Sequence, residues 1–243
     1  PQLEQARHPG HRLGQDVDRT GTLAPEALDR TRTALVDYAA TIARLDVERT
    51  RMIATSATRD ATNRAEFVSM VQATLGVDPE VITGEEEAAL SFRDAVGTIP
   101  GLHGPILLAD IGGGSTELVA GSADEPARLR SRSTDVGCVR MTERFLKDSS
   151  SPLSVDESNA LAKHVRDELK RSGFRFAIVA PTAVFTGGTM STLRAIKGAR
   201  HGLKLEETPA TIGIDTIGDL IDELAPLTLA ERKAIPAMPT ARA

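Results

Sequence analysis

The chain has 243 residues, 40% hydrophobic and 26% charged, enough to bury the core of one large domain or of two lobes, and a soluble globular protein is expected. A net charge of −5, from 34 acids against 29 bases, argues against general affinity for nucleic acid, so a polyanionic substrate would need a local basic site. Aromatic residues at 3%, with no Trp, leave few stacking platforms, and the lone Cys138 excludes an internal disulfide framework or a cysteine-rich zinc site.

In chain order, His8 and His11 are the only two of five histidines close enough to suggest a shared metal, and without a third ligand they read as a solvated segment. Thr22 to Leu45 carries apolar residues at helical spacing, with Pro25-Glu26 in the first turn. Arg49 to Ala54 reads as a strand, Arg64 to Leu75 as a helix, Glu80 to Thr83 as a short strand and Glu85 to about Val96 as a helix. Gly97 to Gly104, with Pro100, reads as a linker between lobes.

The second half predicts strands at about 105 to 110, 115 to 121 and 127 to 134, then helices near 138 to 147 and 155 to 172. Cys138, in Val136-Gly137-Cys138-Val139, is expected to be a small buried side chain. Phe176 to Ala180 reads as a strand, Gly188 to about Ile196 as a helix, and helices over Thr216 to Leu224 and Leu229 to Ala234 follow. The alternation, with an antiparallel meander in the second half, predicts an α/β protein in two lobes, 1–100 and 101–243. No apolar run approaches the roughly 18 residues of a membrane span and no charged-then-apolar leader opens the chain, so no membrane partner and a cytoplasmic location are expected.

Asp110-Ile-Gly-Gly-Gly-Ser-Thr-Glu117 joins two apolar runs. Successive glycines let backbone N–H groups approach a phosphate, and a hairpin here brings both carboxylates to one mouth, where they can hold a divalent cation or handle water. An ordinary tight hairpin is the competing explanation. Thr186-Gly187-Gly188-Thr189 opens a helix whose N-terminus suits an anion. Together the two turns predict a cleft with two phosphate-facing loops.

Ala54-Thr-Ser-Ala-Thr-Arg59-Asp-Ala-Thr-Asn63, Val81-Ile-Thr-Gly84-Glu-Glu-Glu87-Ala88, the Asp110 to Glu117 turn, Val139-Arg-Met-Thr-Glu-Arg144-Phe145 and Gly187-Gly188-Thr189 occur in that order. This series resembles the exopolyphosphatase / guanosine pentaphosphate phosphatase family of the actin, sugar-kinase and heat-shock-chaperone ATPase superfamily, in its short two-domain actinobacterial form. The resemblance implies two ribonuclease-H-like, actin-like ATPase lobes with an active-site cleft between them. It also implies hydrolysis of the terminal phosphate of linear inorganic polyphosphate, usually with magnesium (Mg2+), and guanosine pentaphosphate as a further substrate in some members. A homodimer is the default assembly.

The resemblance assigns Glu87 as general base, with Glu86 as the alternative one residue away; three acids at a helix start also suit the macrodipole. It assigns Asp110 and Glu117 to magnesium and water, Gly112, Gly113, Gly114 and Ser115 to a backbone phosphate cradle, and Gly187, Gly188 and Thr189 to the facing side. Arg12 and Arg59 resemble arginines that contact substrate phosphates, although Arg59 has Asp60 and Glu66 as nearby surface partners. Arg140 and Arg144 read as helix-face charges. The family's opening Asp-x-Gly-Ser-Asn turn has no match before Arg12, and Pro239 to Ala243 resembles a segment that continues in the family, so a chain truncated at both ends is expected. A non-catalytic polyphosphate or nucleotide sensor is the alternative of a different class.

Overall fold

The computed structural model describes residues 12–176 and 182–243. Residue contacts divide the chain into Pro1–Glu86 and Glu87–Ala243.

In the first unit, α1 (Val17–Thr20) precedes α2 (Pro25–Arg44), β1 (Ile53–Ala54), α3 (Ser56–Asp60), α4 (Arg64–Leu75) and β2 (Glu80–Val81). Helix α2 starts at Pro25 rather than at Thr22: Thr22 is turned back on Thr20, and the Leu23 backbone is held by the Asn63 side chain, donating to Oδ1 at 2.8 Å and accepting from Nδ2 at 3.1 Å. Proline at the first helical position costs no hydrogen bond, so the helix begins there. The strand expected from Arg49 contracts to Ile53–Ala54, parallel to Glu80–Val81, while Arg51 reaches across to the Glu80 carboxylate at 2.6 Å and 2.8 Å. Leu23, Leu35, Phe67 and Val71 form the core of this unit.

Helix α5 (Gly84–Thr98) follows and includes Gly97, so the linker reading of that residue does not hold; the helical hydrogen-bond pattern runs through it. The second unit contains a four-stranded mixed sheet in the order β5-β4-β3-β6, with β3 (Pro105–Ile111), β4 (Thr116–Ser122), β5 (Glu125–Thr134) and β6 (Thr182–Thr186). Strands β3 to β5 are the expected antiparallel meander, and β6 is parallel to β3. Of the strand read at Phe176 to Ala180, Ala177 to Ala180 lie outside the described residues.

Phe92, Ala88 and Ala95 of α5 pack on Ile106, Leu108, Val119 and Val184, one face of the sheet. The remaining elements are α6 (Cys138–Phe145), α7 (Val155–Arg171), α8 (Gly188–Ala199), α9 (Ile214–Leu224), α10 (Leu229–Ala234) and a 3₁₀ turn at Thr240–Arg242. Cys138 is half-buried rather than buried, because it opens α6. Among the described residues no helix is long and apolar enough to cross a membrane.

Candidate active site

Asp110 and Glu117 are directly opposed across β3 and β4, so both side chains leave the same face of the sheet. That face is the one α5 covers, since Ile106, Leu108 and Asp110 follow one another at two-residue steps along β3 and share it. From α5, the Ser91 hydroxyl donates to Asp110 Oδ2. From β5, the Ser133 hydroxyl donates to Glu117 Oε1 at 2.7 Å, and Glu117 is only 1% exposed. Glu87 lies one helical turn before Ser91 on the same face of α5, with Oε2 buried.

The three acids at the start of α5 are separated by their surroundings. Glu86 forms a reciprocal cap with Thr83: its carboxylate accepts from Thr83 N at 2.9 Å and Oγ1 at 3.1 Å, while Thr83 Oγ1 accepts from Glu86 N at 3.1 Å. Those backbone and hydroxyl donors hold the Glu86 carboxyl below its usual range. Glu86 is therefore occupied as a helix cap, Glu85 is exposed, and Glu87 alone is partly buried.

Between the two acids, Gly112 N donates to Ser115 O at 3.0 Å and closes the turn. The outer carbonyls of this turn are taken up by α6: Gly112 O accepts from Cys138 N at 3.0 Å, and Gly113 O from Val139 N at 2.9 Å and Arg140 N at 3.1 Å. Gly114 O accepts from Arg140 Nε at 2.8 Å. In a trans peptide the N–H points opposite to the C=O, so fixing these three carbonyls toward α6 turns the N–H groups of Gly113, Gly114 and Ser115 the other way. The result is a backbone concavity suited to an anion. Gly137 makes this approach possible, because a Cβ there would collide with the backbone of Gly113 and Gly114. Arg140, read from sequence as a helix-face charge, is a structural pin of the cradle.

The second glycine turn abuts the first. Asp110 pairs with Thr186 in the sheet, Gly187 adopts φ +93, and a Cβ on Gly187 would strike the Ile111 carbonyl and come within 3.2 Å of Asp110 Oδ1. The Arg242 guanidinium occupies the space that a Cβ on Gly188 would fill. Gly188 and Thr189 begin α8 beneath it.

The structure thus brings together Asp110, Glu117, Gly112 to Ser115 and Gly187 to Thr189, beside the helix that carries Glu87. Arg59 and Arg12 belong to the first unit. Arg59 Nη1 donates to Ile82 O at 2.8 Å from α3, and Arg12 is exposed at φ 44. Ser91, Ser133, Gly137, Arg140 and Arg242 are additional site residues that the sequence reading passed over. Their signal is long-range contact, which spacing in a single chain does not encode.

Among the described residues no group of three or more His, Cys, Asp or Glu is arranged to hold a metal ion. The donor set at hand is two hard carboxylates, with the Thr186 hydroxyl buried and without a hydrogen-bond partner next to Asp110 in register. This set fits a hard cation that takes its remaining ligands from substrate oxygens and water.

The model of the Ppx/GppA phosphatase family matches residues 5–243. Exopolyphosphatase 2 of Mycobacterium tuberculosis is 47% identical over 191 residues, covering 76% of this chain, and the match spans 58% of that relative's length. An uncharacterized protein of Streptomyces coelicolor is 33% identical over 96% of this chain and 69% of its own. The crystal structure of an exopolyphosphatase-like protein has a TM-score of 0.83 at 33% identity, covering 96% of this chain and 74% of that one. An Aquifex aeolicus Ppx/GppA protein has a TM-score of 0.71 at 28% identity, with coverage of 96% and 74%.

Proposed function

Because this chain belongs to the Ppx/GppA phosphatase family, we propose that it is an exopolyphosphatase, a phosphoric anhydride hydrolase that removes the terminal phosphate of linear inorganic polyphosphate. The observation that carries this reading is the opposed pair Asp110 and Glu117 flanking a turn whose carbonyls are fastened behind it to α6. The exopolyphosphatase named above supports the choice of substrate.

The backbone N–H groups of Gly113, Gly114 and Ser115 bind the terminal phosphate and stabilise the charge that spreads over its oxygens in the transition state. Glu87 positions and deprotonates the attacking water. Gly187, Gly188 and Thr189 receive the phosphate from the other side, and Arg12 and Arg59 contact further phosphates. Asp110 and Glu117 hold magnesium, which when bound supplies charge neutralisation at the anhydride oxygens. A cytoplasmic, homodimeric enzyme belongs to the same reading.

Phosphate release by the full chain from long-chain polyphosphate and from guanosine pentaphosphate, compared at equal concentration, tests the assignment. Faster release from polyphosphate is the expected result. Faster release from guanosine pentaphosphate would make the chain a nucleotide phosphatase on the same residues, and polyphosphate binding without release from either would make it a sensor.

A further inference from the structure

Oxygen-bearing side chains line up across the second unit's sheet. Ser133 pairs with Glu117, Glu117 with Asp110 and Asp110 with Thr186, so β5, β4, β3 and β6 each contribute one residue at the same level. Paired residues of a ladder share a face, and this row is on the face that α5 covers. The first three are engaged with one another or with α5: Ser133 donates to Glu117 Oε1 at 2.7 Å, and Ser91 donates to Asp110 Oδ2. Thr186, at the end of the row, differs from them. Its hydroxyl is buried and has no hydrogen-bond partner.

Other threonines of this chain satisfy theirs. The hydroxyls of Thr31, Thr142, Thr192 and Thr208 each donate at 2.8 Å to the carbonyl four residues earlier, and Thr134, in β5, donates across the ladder to Thr116 O at 3.0 Å. Thr58 of α3 is the other threonine with a buried, unpartnered hydroxyl, and it lies in the first unit. A β-branched side chain suits a strand, but valine has the same shape and no oxygen to leave unsatisfied. Strand preference therefore accounts for the branching of Thr186 and leaves its hydroxyl unexplained. The neighbouring carboxylate supplies a reason. Asp110 Oδ2 is taken by Ser91, whereas Oδ1 lies 3.2 Å from the place of a Cβ on Gly187, the residue after Thr186. A carboxylate oxygen and a hydroxyl lone pair are both hard ligands of the kind that magnesium and manganese take. A neutral hydroxyl also adds a ligand without adding negative charge that would repel a phosphate.

We propose that the Thr186 hydroxyl oxygen is a further ligand of the divalent cation assigned above to Asp110 and Glu117. The inference rests on the exopolyphosphatase reading for the cation's role and on the transverse row for its place.

The test is Mn2+ binding by the full chain, followed by electron paramagnetic resonance without substrate, for T186V and T186S beside the unaltered protein. T186V, which keeps the shape and removes the oxygen, binds Mn2+ about tenfold more weakly, and T186S, which keeps the oxygen, stays within about threefold. Metal-free T186V melts no lower than the metal-free unaltered chain, because no hydrogen bond within the protein is lost. Unchanged Mn2+ affinity in T186V, or an equal loss in T186S, would overturn the assignment. Metal-free T186V melting several degrees lower would do the same, by showing that the hydroxyl serves the fold. Thr186-dependent Mn2+ binding in a chain that releases no phosphate from polyphosphate would retain the ligand and overturn the hydrolase reading; phosphate release with Mn2+ binding indifferent to Thr186 would do the reverse.

Discussion

Asp110 and Glu117 are held in different ways, and the difference has consequences. Ser91 takes one Asp110 oxygen and leaves Oδ1 directed to the Gly187 turn, whereas Glu117 is nearly inaccessible and receives Ser133. Groups that orient a ligating carboxylate commonly change metal affinity or activity by about 10–100-fold when removed. Replacing Ser91 by Ala is accordingly expected to lower kcat about tenfold and to weaken Mn2+ binding, measured by titration calorimetry, with KM for polyphosphate nearly constant. S91T, which keeps the hydroxyl, restores most of both. Ser91 was not legible in sequence because its partner is 19 residues away on another element, although its place one turn after Glu87 puts the two on one helix face. Spacing alone left Glu86 beside Glu87 as a candidate, and it does not show that the Glu86 carboxylate is engaged in a cap with Thr83.

Among the elements, the β3–β4 hairpin was the most legible part of the chain. Two apolar runs around three glycines dictate antiparallel strands, and opposition of the flanking acids follows from the register. The support behind the glycines was not legible: α6 was readable as a helix, but its seating on the turn depends on contacts such as that of Arg140 with Gly114, 26 residues apart. Gly137 is the tightest point of that seating. Gly137→Ala is expected to force the turn and α6 apart, costing about 1–3 kcal/mol of stability in a denaturant titration and lowering phosphate release more than the stability loss explains. Strand β6 shows the opposite limit of pattern reading. The sequence pattern placed no strand over Thr182–Thr186, and it is long-range pairing with Ile106–Asp110 of β3 that makes one there.

Across the whole molecule, the α/β class and the meander followed from alternation of short apolar runs with amphipathic segments, and the mixed sheet of the second unit has that organisation. Membership of the Ppx/GppA phosphatase family accounts for the order in which the motifs occur. With Glu87 proposed to activate water at a phosphate held by the second unit's glycine turns, its carboxylate is needed for release and not for binding. The most direct measurement is phosphate release and polyphosphate binding by Glu87→Gln, side by side with the unaltered chain. Release slowed by at least about a hundredfold, with binding within about threefold, is the expected result. Release at the unaltered rate would contradict it.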